Sequence, residues 1–249
     1  MENNKPIKYL MGGKLGDFIH SLVVCKRMYE KTGKKAILYI SNIGDPFEMP
    51  LEFTYNELKP ILESQEWLSE FNIYESEQFD ICLNDFRDSP LLYKTNWLNI
   101  YFNSFLNEPA IQEYKWIEMP KNPVFSNSLI INRALTHNGR MNLHTIEKYS
   151  SIAKNFNERY FVCFNQSQYD NFQLKDYFNL IVVENLYEYF EIINSSKLFM
   201  GNQSGPFAWA SAMNVSRILE ISRFWNGQIS YDGIHYLTDD QYYKNFAIM

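Results

Sequence analysis

The stretch IKYLMGGKLGDFIHSLVVCKRMYEKTGKKAILYIS, residues 7–41, decides the fold class. It opens on a short apolar run, Ile7–Met11, and turns through Gly12-Gly13-Lys14-Leu15-Gly16-Asp17. A helical pattern follows from Phe18 to Lys31, with Ile19, Leu22, Val23 and Met28 on one face. Gly33 stops it, and Ala36–Ser41 reads as a second buried strand. One strand–helix–strand unit of this kind implies a parallel sheet joined by a right-handed crossover.

The same alternation extends along the chain. Asp45–Pro50 reads as a loop and Leu51–Leu62 as a helix, with Pro60 a candidate interruption. Phe79–Asn84 is a strand candidate and Asn96–Leu106 an aromatic-rich helix. Turn formers then cluster at Pro120-Lys121-Asn122-Pro123 and Ser126-Asn127-Ser128, which places a domain boundary there, with domains 1–122 and 123–249. In the second domain, strands are expected at Leu129–Asn132, Tyr160–Phe164, Leu180–Val183, Lys197–Met200 and Arg217–Ile221. Helices are expected at His144–Phe156, Leu186–Asn194 and Pro206–Met213. Strand, helix, strand, repeated, gives an α/β chain of two Rossmann-like doubly wound domains facing a central cleft. Ligands of such sheets bind outside the carboxyl ends of the strands, so function is expected in the loops that follow them.

Composition narrows the partners. The chain has 249 residues, 46% of them hydrophobic, enough for one large domain or two small ones, each with its own core. Its 23 basic and 29 acidic residues leave a net charge of −6, a poor match for neutralising a nucleic-acid backbone. Cys25, Cys82 and Cys163 form no CxxC pair, which points to reduced thiols. The start MENNKPIKYLMGG lacks the apolar core of a secretory signal, and no run is long enough to span a bilayer. The expectation is a soluble, cytoplasmic protein without a transmembrane segment; the oligomeric state is not legible. The many aromatic residues are scattered and suggest no stacking platform.

Two turns carry the chemistry. In the first, Gly12, Gly13, Lys14 and Gly16 match neither a Walker A loop nor a full GxGxxG. The glycines allow a tight turn and close approach of a ligand to backbone N–H groups. Asp17, at the start of the helix, is either an N-cap or a general base pointing into the cleft. The second turn, Gly201-Asn202-Gln203-Ser204-Gly205-Pro206, again follows a strand and opens a helix. Ser204 can cap, and Pro206 suits the first turn. The N–H groups exposed at such a helix start suit a diphosphate. Arg133 and Arg140 flank the loop after Asn132, where a guanidinium fork can pair with phosphate or join a surface salt bridge. Glu220, near a strand end, could accept from ribose hydroxyls or pair with Arg217 or Arg223. His20, His137, His144 and His235 lack ligand spacing, and no DxD occurs, so no metal site and no bound cofactor are expected. His20, one turn past Asp17, reads as a buried histidine rather than a ligand.

Taken together, GGKLGDFIHSLVV and KLFMGNQSGPFAWASAM–VSRILEI resemble two segments of the heptosyltransferase-like glycosyltransferases, the ADP-heptose:lipopolysaccharide type. They occur in the same order, one per half. The resemblance implies a GT-B fold, an acceptor side on the N-terminal domain and a nucleotide-sugar donor side on the C-terminal domain. It aligns Asp17 with the family's N-terminal aspartate, a candidate base, and Ser204 and Gly205 with the segment that holds the donor diphosphate. Gln203 and Ala208 stand where the family has an aspartate and a histidine. The implied function is metal-independent, inverting transfer of a sugar to a glycan, lipid-linked or other hydroxyl acceptor. Asn202, Gln203, Ser204, Gly205, Arg133, Arg140 and Glu220 would lie on the donor side. The alternatives are a non-catalytic nucleotide-sugar or glycan-binding module and a sugar-nucleotide epimerase on a similar scaffold. An NAD-linked oxidoreductase fits less well, because the second strand ends in Ile40-Ser41-Asn42 without an acid.

Overall fold

The computed structural model describes residues 5–43, 46–92, 94–111, 113–134, 141, 143–220 and the backbone of 234–237. Arg140, His137 and Arg223, all considered in the sequence, lie outside the described residues. The chain divides into two compact units. One is Met1–Met119 with Ala212–Asn214; the other is Pro120–Ser211 with Val215–Met249.

In the first unit, β1 (Ile7–Gly12), β2 (Ala36–Ser41), β3 (Leu68–Ile73) and β4 (Ile81–Cys82) form a parallel sheet in the order β3-β2-β1-β4. β1 and β2 pair from Ile7↔Ala36 to Gly12↔Ser41. β2 is buried along its whole length, as a central parallel strand should be. Helix α1 (Leu15–Thr32) starts three residues earlier than its apolar periodicity suggests, because the glycine turn already has helical backbone from Leu15. It ends at Gly33, whose left-handed φ of 70° lets its N–H reach the Tyr29 carbonyl at 2.7 Å. Helix α2 (Leu51–Leu62) runs through Pro60 and stops two residues later. It buries Thr54, Leu58, Ile61 and Leu62, one face at helical spacing. Helix α3 (Trp97–Tyr101) is capped by the Asn96 side chain and continues as a wider turn through Phe102–Leu106. The aromatic residues that looked scattered in sequence fill this core. Phe18 packs on Phe47 and Phe71, while the Trp116 indole donates to Ile19 O at 2.9 Å and Trp67 donates to Trp116 O at 3.1 Å. Each such buried ring stabilises the fold by roughly 1.5–3 kcal/mol.

The second unit holds β5 (Leu129–Asn132), β6 (Arg159–Cys163), β7 (Asn179–Val182), β8 (Leu198–Asn202), β9 (Arg217–Glu220) and β10 (Ile234–Leu237). Its parallel order is β10-β9-β8-β5-β6-β7. Counted within the unit, that is the doubly wound order, with the direction of winding reversing between β5 and β8. Helices α4 (Leu143–Ala153), α5 (Gln166–Asp170), α6 (Leu186–Ser195) and α7 (Gly205–Ala212) connect the strands. The loop expected after Phe164 is in fact α5, capped by Asn165. Asn185 caps α6 by accepting from Glu188 N at 2.8 Å, and Glu188 accepts in return from Glu184 N at 3.0 Å. Leu129, Ile131, Phe161, Met200 and Tyr149 lie in one core. Above it, Trp209 of α7 stacks on Phe190 of α6 at 3.9 Å between ring centres. β3 and β10 are strands that the sequence pattern did not announce.

Candidate functional site

Each unit has one point where its winding reverses, between β1 and β4 in the first and between β5 and β8 in the second. Crevices at such points are where open α/β sheets hold ligands. Both of the expected turns lie at these points.

At the first, a Cβ on Gly12 would lie 2.4 Å from Ser41 O, so the strand end has no room for a side chain. Gly13 then takes φ 100°, which turns the chain off the sheet. Lys14 is exposed and opens α1 without a side-chain cap. Asp17 is therefore not the N-cap; it sits in the first turn, where the helix dipole favours its charge by about 0.3–1 kcal/mol. Gly16, just before it, lies in the same first turn. Arg87 arrives from the 3-10 turn Leu83–Asp88 that follows β4. Its Nη2 donates to Asp17 Oδ2 at 3.2 Å and its Nη1 to Asn84 Oδ1 at 3.0 Å. Asn84 Oδ1 also accepts from Gly12 N at 3.3 Å, and Asn84 Nδ2 donates to Ile43 O at 3.2 Å. Tyr101 OH donates to Asp17 O at 3.1 Å. The Asp17 and Arg87 side chains are 22% and 29% exposed, so the pair faces solvent in part. His20 is buried beside Trp116, within the core.

At the second, Asn202 closes β8 and grips the neighbouring strand's exit. Its Oδ1 accepts from Ala134 N at 3.1 Å and its Nδ2 donates to Ala134 O at 2.6 Å. Asn132 Nδ2 donates to Val162 O at 2.9 Å and ties β5 to β6. Ser204 O accepts from Ala208 N at 3.1 Å and so opens α7, with Gly205 and Pro206 as its first residues. The Ser204 hydroxyl itself donates to Asn202 O at 3.1 Å. Gln203 is nearly buried and Ala208 fully buried.

Arg133 and Glu220 differ from their expected separate roles. Arg133 Nε and Nη2 donate to the two oxygens of Glu220 at 2.7 and 2.8 Å, and Tyr149 OH donates to Glu220 Oε2 at 2.9 Å. The fork expected to face a phosphate and the carboxylate expected to face a ribose are joined to each other; Arg223, a mate considered for Glu220, lies outside the described residues. Burial alone would push the guanidinium down, but the hydrogen bonds and charge of Glu220 hold it above its ordinary range. Burial, and then the Glu220 charge, push the Tyr149 hydroxyl well up. Arg217 instead donates from Nη1 to Val215 O at 2.9 Å.

Sequence reasoning singled out neither Asn84, Arg87 and Tyr101 at the first point nor Tyr149 at the second. Only Asn84 carried a signal, as the last residue of a strand candidate. Among the described residues no group of three or more His, Cys, Asp or Glu is placed to hold a metal ion, and no helix is long and apolar enough to cross a membrane.

Neither a family model nor a curated protein sequence matches the chain. Solved structures do. The Escherichia coli heptosyltransferase WaaC with ADP-2-deoxy-2-fluoro heptose matches at 8% identity and TM-score 0.61, covering 93% of each chain. A glycosyl transferase family 9 structure from Veillonella parvula matches at 11% identity and TM-score 0.59, covering 100% of this chain and 91% of that one. The heptosyltransferase TibC, described as dodecameric and iron-containing, in complex with ADP-D-beta-D-heptose, matches at 11% identity and TM-score 0.60, covering 94% of this chain and 63% of its own. The fold is the GT-B fold that the two sequence segments led us to expect. At these identities the likeness is one of fold.

Proposed function

We propose that the chain is a glycosyltransferase that moves a sugar from a nucleotide-diphosphate donor to a hydroxyl acceptor. The observation that carries this reading is the pair of reversal points, each ending a buried strand in a glycine-containing turn that opens a helix. A neighbour of the same fold is described with ADP and others with ADP-heptose or its fluoro analogue, which supports a nucleotide sugar as the donor class.

The donor belongs on the second unit. There the N–H groups at Ser204–Gly205 and the positive end of α7 would stabilise the charge growing on the leaving diphosphate. Asn202 holds that turn in register with Ala134. Arg133 and Glu220 support the floor beneath it, and Gln203 completes the turn without adding a negative charge. The acceptor belongs on the first unit. Its O–H bond breaks, the proton passes to the Asp17 carboxylate, and the oxygen attacks the anomeric carbon as the bond to the diphosphate breaks. A direct displacement of this kind inverts the anomeric centre. No metal is needed in this scheme, because protein N–H groups and the helix dipole supply the positive character.

A thermal-shift screen against nucleotide diphosphates and their sugars tests the reading. A donor at 100 times its dissociation constant should add about 2.7 kcal/mol of apparent stability. Turnover of the donor that binds should then require an acceptor and survive EDTA. Binding without turnover would instead support a carrier or sensor of nucleotide sugars, and conversion of the donor without any acceptor would support an epimerase. A strict need for a divalent ion would remove the metal-independent scheme.

A further inference from the structure

Arg87 belongs to neither turn, yet it ties the first reversal point together. It stands on the Leu83–Asp88 turn, on the side of β1 away from β2. Separate observations fix its guanidinium. Its Cζ lies over the Phe86 ring, 4.4 Å from the ring centre. Phe86 is itself buried, edge-on to Trp97 at 5.4 Å and tilted against Tyr101 at 5.0 Å, so the platform cannot swing. One arm donates to Asp17 Oδ2 and the other to Asn84 Oδ1, each within 3.2 Å. Asn84 passes the constraint to Gly12 N, at the end of β1, and to Ile43 O, two residues past the end of β2. Tyr101, which packs on Phe86, holds the backbone of Asp17 from its own side.

We infer that Arg87 is a positioning residue for the proposed proton acceptor: it holds the Asp17 carboxylate and the start of the glycine turn in one fixed arrangement. The inference rests on the reading of Asp17 as the base. An isolated surface pair of this exposure could be lost with little effect. This one differs because a planar fork with two partners sits on an immobile ring, and a lysine could replace the charge but not the fork. Arg87 neither gives nor takes a proton in the step. It sets where the carboxylate stands when the acceptor hydroxyl arrives, and small displacements of a reacting group cost rate steeply.

The test is steady-state kinetics and donor-binding calorimetry on the full chain, comparing the parent with Arg87→Ala, Arg87→Lys, Asp17→Asn and the Asp17→Asn/Arg87→Ala double variant. Arg87→Ala should lower kcat about 100-fold, with the donor dissociation constant unchanged. Arg87→Lys should recover only part of that loss. In the Asp17→Asn background, Arg87→Ala should cost nothing further, because the group it positions is gone. Three results overturn the inference: an Arg87→Ala kcat equal to the parent's, full recovery by lysine, or a double variant slowed by the product of the two single losses. If Arg87→Ala fails to fold, Arg87→Lys and Arg87→Gln carry the same comparison. A parent protein that turns over no donor sinks the transferase reading and this inference with it. An active parent with unaffected Arg87 variants sinks this inference alone.

Discussion

The two reversal points use the same topological device and are built in opposite ways. In the first, Arg87 donates to Asp17 at 3.2 Å, and both side chains keep a share of solvent. In the second, Arg133 and Glu220 share two bonds of 2.7 and 2.8 Å at 3% and 8% exposure, with Tyr149 OH added from a fully buried ring. A part-exposed pair contributes about 0–1 kcal/mol, whereas breaking a buried one by removing a partner costs about 3–5 kcal/mol. The charges of the first point stay in partial contact with solvent, whereas those of the second are buried against each other.

The contrast can be broken most decisively at Asp17. Asp17→Asn should reduce sugar transfer by about 10²–10⁴-fold while donor affinity and the urea midpoint stay put. Full residual turnover would show that the open point takes no part in proton transfer. Next in size is Arg133→Ala, which strands the Glu220 carboxylate in the interior and should cost about 3–5 kcal/mol in urea unfolding. Arg87→Ala in the same experiment should cost less than about 1 kcal/mol. Similar losses at the two arginines would erase the distinction drawn here. Tyr149→Phe, which deletes one hydrogen bond to a charged group, should fall between the two arginines, at about 1.5–3 kcal/mol. A neutral result there would mean that Glu220 is held by Arg133 without help.

Much of this fold could be read along the chain, because parallel strands buried on both faces are short apolar runs separated by helical periods. β2 and β5 fall where the pattern puts them. β3 was hidden by a bulge. Ala36 pairs with Leu68 but Ile37 with Glu70, so Ser69 is an extra residue, and the buried positions Leu68 and Phe71 lose the period of two. β4 gives only two residues to the sheet before the chain tightens into the 3-10 turn. The site was legible where function lies in consecutive residues, as in both turns. Its partners were not, since Asp17 and Arg87 are 70 residues apart and Arg133 and Glu220 are 87 apart. Weighing Arg217 as a mate for Glu220 overlooked the pleat: residues three apart on one strand point to opposite faces.

The Trp209–Phe190 stack gives this molecule an optical handle. The indole sits one turn into the helix that begins at Gly205, and its nitrogen finds no partner among the described residues. A donor phosphate bound as proposed at the start of that helix should perturb the element that carries the fluorophore, and subtracting the spectrum of a Trp209→Phe variant isolates its signal from those of the other tryptophans. Binding at the proposed donor turn would then be followed by light, without any added label.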